Sequence, residues 1–443
     1  MTIHSLLMRT ILLSSVFLSL FLTGCMGLGS KAVSMQAELA AGRVSNALAI
    51  AENENSSEDE VLASLNKGML RRMKRDYQGS NQIFEVAKKN IEELYGVSVT
   101  EQAGALIVND TLRSFSGDRY EQVLLHAYMA MNYIQLDDFD SARIEMKQAE
   151  VKMMEWGDDP EDDPFVRYLS GMIYEELGEK DQAVISYRQA KDVYKSTSQK
   201  QTFGVPTVLK MDLLRSLANE GFDDEFRALK KELKMKKFKP EVLTKGFGEL
   251  IVILNSGLAP VRKEVSISAV TNEVTDTVKI AIPSYPDPQQ RFSARLSTNH
   301  KLVANLELVE NIDGLARAAL NNDLPIITTR AIARAVVKHK TQSTVEEKGG
   351  ALAGFLATAF NVVSEQADTR SWITLPQTIQ MARVKLPVGM NKVNIDIYNA
   401  SGRLVDRIEK EILIKSGKSS FITEHWVAPN MSLVVMADKN RKL

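Results

Sequence analysis

From about residue 40 to residue 240, apolar residues recur three and four positions apart, which is the spacing of one helical face. Within that stretch one set of offsets repeats. Gly171, Tyr174, Ala183, Tyr187 and Ala190 form the clearest copy, and Ala130, Tyr133, Ala142, Met146 and Ala149 repeat it upstream. Gly171 and Ala183 let two antiparallel helices approach closely, the two tyrosines fill the gap, and Gly178 closes the first helix. The copies lie 41 residues apart, with the acidic turn Gly157-Asp-Asp-Pro-Glu-Asp-Asp-Pro164 between them. Gly68, Ser80, Phe84 and Ala87 fit a weaker copy, with Asp76-Tyr77 in its turn. Gly42, Ala47 and Ala51 fit the back half of an earlier one, and Leu217, Gly221 and Phe226 a last, degenerate one.

From Gly248 the period changes. Glu249-Leu-Ile-Val-Ile-Leu254 is a short apolar run closed by a turn over Asn255–Pro260. Alternation then predicts strands at Val265–Val270, Val278–Ile282, Phe292–Leu296 and Leu302–Val309, with Pro283–Pro288 as a loop. Helices are predicted at Ile312–Asn321 and Ile326–Lys340, and Gly350–Phe360 reads as a core helix, apolar on nearly every side. Strands follow at Ile379–Val384, Val393–Ile397, Arg403–Ile414, Ser420–Val427 and Ser432–Met436, with Asn399-Ala-Ser-Gly402 as a hairpin turn. Nine of the twelve prolines lie from Pro240 onward and mark the same boundary. The expected fold class is α+β: a helical repeat solenoid over residues 25–240, then a mixed α/β, strand-rich domain over residues 248–443.

The repeated offsets resemble the tetratricopeptide repeat. That resemblance implies a curved solenoid whose concave face binds proteins or peptides and is lined by the first helix of each pair. Met131, Gln135, Tyr168, Met172 and Glu176 are the candidate partner-binding residues. Plain solenoid surface or core is the competing reading for each.

The first residues carry another pattern. Arg9 precedes the apolar run Ile11–Leu22, which is shorter than the roughly 20 residues that span a bilayer. Leu22-Thr23-Gly24-Cys25 resembles the bacterial lipobox, which implies a signal peptide over residues 1–24 and lipid on Cys25. Cys25 is the only cysteine, so the mature chain can carry no internal disulfide. Met26 in place of Asp at the second mature position implies the outer membrane of a Gram-negative cell, with the body facing the periplasm. Glu249–Leu254 with Gly257-Leu-Ala-Pro260, Ala367-Asp-Thr-Arg-Ser-Trp-Ile-Thr-Leu-Pro376, Asn109-Asp110 and Tyr120-Glu121 resemble an uncharacterised family of Gram-negative periplasmic repeat lipoproteins. Members of that family often sit beside outer-membrane activators of peptidoglycan synthases, which implies cell-wall machinery as the partner class.

Candidate chemistry adds little. With 55 Lys and Arg against 56 Asp and Glu there is no global field for nucleic acid. His4, His126, His300, His339 and His425 show no metal spacing, and no nucleophile elbow occurs, so no metal, cofactor or catalytic residue is expected. Gly417-Lys418-Ser419 reads as a hairpin turn. Asp158–Asp163 reads as a solvated turn and lacks the glycine and terminal Glu of a calcium loop. The lysines from Lys230 to Lys239 could touch anionic headgroups or simply end a charged helix. Asp368-Thr-Arg-Ser-Trp372 could be a small polar site or a buried Asp–Arg pair. Three functions follow: an anchored protein-interaction scaffold, a hydrolase or glycan-binding protein using Asp368 and Glu365, or a structural subunit of an export apparatus.

Overall fold

Among the described residues, ten helices form five hairpins: α1 Gly27–Ala40 with α2 Val44–Glu52, α3 Glu60–Met73 with α4 Tyr77–Glu101, α5 Arg119–Gln135 with α6 Phe139–Glu155, α7 Pro164–Glu176 with α8 Lys180–Ser196, and α9 Thr207–Asn219 with α10 Asp223–Glu232. The computed structural model describes residues 27–53, 59–101, 114–156, 162–197, 203–235, 237–240, 246–271, 274–299, 301–336 and 366–428. One turn is used in all five hairpins. Its central residue adopts left-handed backbone: Gly42 (φ 72°), Arg75 (64°), Asp137 (59°), Gly178 (77°) and Gly221 (75°). The next N–H then donates to a carbonyl of the helix just ended, as in Asp76 to Arg71 (3.0 Å), Asp138 to Tyr133 (2.9 Å) and Glu179 to Tyr174 (2.9 Å). The weak copies therefore fold as helical hairpins with the same turn. The earliest copy also has a front half, α1, that the spacing had not revealed.

Close approach needs glycine at two equivalent places. A Cβ on Gly171 would sit 2.4 Å from the Tyr187 ring, and one on Gly68 would sit 2.4 Å from the Phe84 ring. In both hairpins the aromatic ring of the second helix occupies the space that a side chain on the first would need.

The second half builds two four-stranded sheets and a hairpin. Its strands are β1 Phe247–Ser256, β2 Lys263–Thr271, β3 Val274–Ser284, β4 Ser293–Thr298, β5 Lys301–Asn305, β6 Glu307–Asn311, β7 Thr378–Pro387, β8 Gly389–Tyr398, β9 Leu404–Ile414 and β10 Ser419–Trp426. The orders are β10-β1-β7-β6 and β5-β4-β8-β9, with β2-β3 apart; β1 and β10 are parallel. Helix α11 (residues 312–336) packs Ala331 and Ala335 on Ile280 of β3.

The β1 run is apolar throughout because both its faces are buried. Leu250, Val252 and Leu254 meet Leu296, Ile395 and Ile397 of the second sheet, while Ile251 and Ile253 join the core of the helical hairpins. The result is three layers: helices, central sheet, outer sheet. Sequence expectation and structure differ at three places. Leu302–Val309 is not one strand, because the chain crosses at Leu306 from the outer sheet (β5) to the central one (β6). Residues 312–336 form one helix that continues past Pro325 on its exposed side. Gly417-Lys418-Ser419 joins β9 to β10, which lie in different sheets, so it is no hairpin turn. Gly350–Phe360, Asn109-Asp110 and the Ser432–Met436 strand lie outside the described residues.

Gly171→Ala forces the Tyr187 ring to move and should cost about 1–3 kcal/mol. Thermal unfolding of Gly171→Ala beside Gly178→Ala separates crowding from backbone conformation, since nothing lies within 4 Å of a Cβ at Gly178.

Candidate functional site

The inner helices α5 and α7 put the five candidate partner residues on one face, and that face is covered by the chain's own central sheet. Met131 and Tyr168 have no exposed surface and Met172 keeps 2%. The Tyr168 hydroxyl donates to Asp212 at 2.6 Å, and Gln135 Nε2 reaches the Phe421 carbonyl of β10 at 3.5 Å. Glu176 hydrogen-bonds Ser419 at the start of β10. The expectation of an open concave surface at these positions is thus corrected. An inner face this apolar must be buried, and the odd-numbered side of the central sheet buries it. Cys25 and residues 1–24 lie outside the described residues.

The segment 366–377 runs into the same groove ahead of β7. Trp372, 1% exposed, stacks edge-on against Phe84 of α4 (5.7 Å) and Tyr128 of α5 (5.9 Å). Its backbone N–H donates to Glu121 Oε1 at 2.7 Å, its indole N–H to Thr374 (2.9 Å), and Thr374 to Asn66 of α3 (3.0 Å). Arg370 pairs with Asp59 at 2.9 Å and Asp368 at 2.7 Å. Asp368 and Arg370 therefore hold a turn, as the second sequence reading had it, and Trp372 is core. A cavity of about 260 Å³ beside them is lined by Asp118, Arg262, Asp368 and Arg370, with Arg262 paired to Asp118. Glu365 lies outside the described residues.

Glu121 accepts from the N–H groups of both Trp372 and Asp118, the latter at 2.9 Å. Burial, and then the Asp118 carboxylate beside it, push the Glu121 carboxyl up to about 7. Asp163 caps α7 through Val166 N–H at 2.9 Å and shares a hydrogen bond with Glu310 of β6; burial raises it to about 6.

A second charged cluster crosses the layers. Arg383 of β7 pairs with Glu249 of β1, Glu175 of α7 (2.9 Å) and Asp212 of α9 (3.3 Å). Arg215 of α9 binds Glu175 (2.9 Å), Asp212 (3.2 Å) and Glu249 (3.2 Å). Burial would raise Glu175, but Arg383 and Arg215 overcome it and hold it down at about 2. These residues were not singled out from sequence. The available signal was a charge on the inward side of each strand, Glu249 leading an apolar run and Arg383 in step with Ile379 and Met381.

The outer helices leave a different surface. On α6, Ile144 (51% exposed), Val151 (47%) and Met154 (72%) form a stripe between two grooves of about 720 and 990 Å³. His126, at 1% exposure, borders the first groove; its Nδ1 meets Glu145 at 2.8 Å, and Glu145 also pairs with Lys88 at 3.2 Å. His126 is thus a packed residue of the repeat. Among the described residues no His, Cys, Asp or Glu group is placed to hold a metal, and no helix is long and apolar enough to cross a membrane.

The tetratricopeptide repeat family matches residues 166–197, which span most of α7 and all of α8. Similar solved structures include MamA of AMB-1, at 14% identity over 48% of this chain and 93% of its own, TM-score 0.30. A Podosopora anserina protein of nearly identical TPR-like repeats matches at 14% identity, with 47% and 93% coverage and TM-score 0.32. The Rap conjugation regulator of plasmid pLS20, in complex with the Phr* peptide, matches at 12% identity, with 46% and 52% coverage and TM-score 0.28. No curated protein matches the chain. The chain thus has a helical repeat region, with a tetratricopeptide repeat at residues 166–197, followed by a strand-rich region.

The carboxyls give stability a definite pH dependence. Glu121 and Asp163 keep protons in the folded state that the unfolded chain has already released, so their contribution is full below about pH 4 and is lost as pH rises through about 7. Glu175 works oppositely, losing its contribution as pH falls below its ordinary 4.5 toward 2. The melting temperature should fall between pH 5 and pH 8, and Glu121→Gln should flatten that slope. Arg383→Ala leaves three buried carboxylates to share Arg215 alone and should cost about 3–5 kcal/mol in urea unfolding, whereas Glu249→Gln with Arg383→Met should cost less.

Proposed function

We propose that this chain is a lipid-anchored outer-membrane protein, facing the periplasm, that recruits another envelope protein and catalyses nothing itself. The observation that carries the reading is the division of the repeat array into a filled inner face and an open outer one. Its inner groove, the usual peptide seat of such arrays, is taken by the chain's own residues 366–377 and central sheet. The apolar stripe of Ile144, Val151 and Met154 is left for a partner. An exposed apolar strip between polar-rimmed grooves is the composition of a protein contact surface. The lipobox at Cys25 supports the anchor, and the family resemblance supports peptidoglycan machinery as the partner class.

Two outcomes follow. Cys25→Ser should abolish incorporation of labelled palmitate and release the protein from the outer-membrane fraction of cells; a variant that stays fully membrane-bound removes the anchor from the reading. A photo-crosslinking residue at Ile144 or Val151 should trap one discrete partner in intact cells, while the same residue at Met131 should trap none. Equal labelling at inner and outer positions, or none at either, sinks the scaffold.

A further inference from the structure

Five described lysines at the end of the array carry charge that no ion pair among the described residues takes up. Lys230, Lys231, Lys234, Lys237 and Lys239 fall at the end of α10 and in the segment after it. None of the five is in an ion pair among the described residues. The acids of α10 are at its other end or engaged: Asp224 with Arg227 (2.6 Å), Glu225 with Arg188 and Glu232 with Lys195. The helix dipole accounts for two of the lysines only, since Lys230 and Lys231 are in the last turn and the other three lie beyond it.

The lysines are displayed on a fixed scaffold. Leu233, Met235 and Phe238 pack against the main core. Met235 N–H donates to the Lys230 carbonyl at 3.0 Å, and Phe238 N–H to the Met235 carbonyl at 2.9 Å. Between these apolar pins, Lys231, Lys234, Lys237 and Lys239 stand exposed. The whole chain has a net charge of −1, so this concentration of cations is local. No arginine occurs between residues 228 and 246. Lysine ammoniums are strongly hydrated point charges, suited to a diffuse plane of negative charge rather than to the forked pairing arginine makes with a single carboxylate.

We propose that the face formed by Lys231, Lys234, Lys237 and Lys239 docks on anionic phospholipid headgroups of a bilayer. Clusters of four to eight lysines on or beside an amphipathic helix meet the requirement for such a surface. The contact would hold the far end of the array against the membrane. It deepens the anchored reading and is tested without the anchor, so that failure of one is not failure of the other.

The test uses the chain from residue 25 with Cys25→Ser, which keeps every described residue. Sedimentation with phosphatidylcholine vesicles, with and without phosphatidylglycerol, should show binding only where phosphatidylglycerol is present, lost as salt rises. Lys231→Gln/Lys234→Gln/Lys237→Gln should weaken that binding on the order of 100-fold. Lys89→Gln/Lys392→Gln, at positions 74% and 82% exposed elsewhere, should leave it unchanged. Equal binding to both vesicles, salt-insensitive binding by the unsubstituted chain, or equal loss in both variants overturns the proposal. So does capture by a polyglutamate peptide with no binding to either vesicle, which would assign the face to an acidic protein.

Discussion

The backbone N–H of Trp372 ends on the Glu121 carboxylate, 251 residues earlier in the chain, and much of the architecture depends on that bond. It fixes the turn-rich segment 366–377 inside the helical groove, with the Trp372 ring lodged between α4 and α5. Burying a ring of that size is worth on the order of 5 kcal/mol. The same glutamate closes the first turn of α5 by accepting from Asp118, so one carboxyl both caps a repeat helix and seats the strand segment. Its raised affinity for a proton reflects that enclosure.

Around this wedge the two halves become one core. Ile251, Ile253, Ile379 and Met381 of the central sheet share a cluster with Leu65, Tyr128, Leu169 and Leu213 of the helices. Polar groups that cross the boundary are matched in kind. Arg72 of α3 reaches Asn132 and, at 3.1 Å, Thr423 of β10; Tyr128 donates to Asn255 of β1 at 3.0 Å. Burying such groups without partners would cost more than each bond contributes, so the sheet has few places where it can sit. Partner contact and membrane contact are then left to the outer helices and the lysine-bearing end.

Local periodicity made the helical hairpins legible, because Gly171 and Tyr187 or Gly68 and Phe84 answer each other within a few turns. It also made β1 legible, since a run buried on both faces has no alternation to lose. It did not reveal what covers Met131, Tyr168 and Met172. Their shared face was readable from helical spacing, but its occupant comes from strands more than two hundred residues away, such as Arg383 meeting Glu175 across 208 residues. The left-handed residues Arg75 and Asp137 of two turns escaped for another reason: they adopt that backbone without glycine, so the usual marker is missing. The split of β5 from β6 at Leu306 is a change of sheet inside one apolar run, and alternation alone is blind to it.

If the strand segment is part of the helical core, Trp372 cannot leave the groove while the helices stay folded. Replacing Trp156 and Trp426 by Phe leaves Trp372 as the sole tryptophan, and its fluorescence can be followed beside far-ultraviolet dichroism through urea unfolding. One coincident transition with a single midpoint is the predicted result. Exposure of Trp372 at a urea concentration where the helical signal is still intact would show that the groove stands open by itself, and would contradict the union of the two halves.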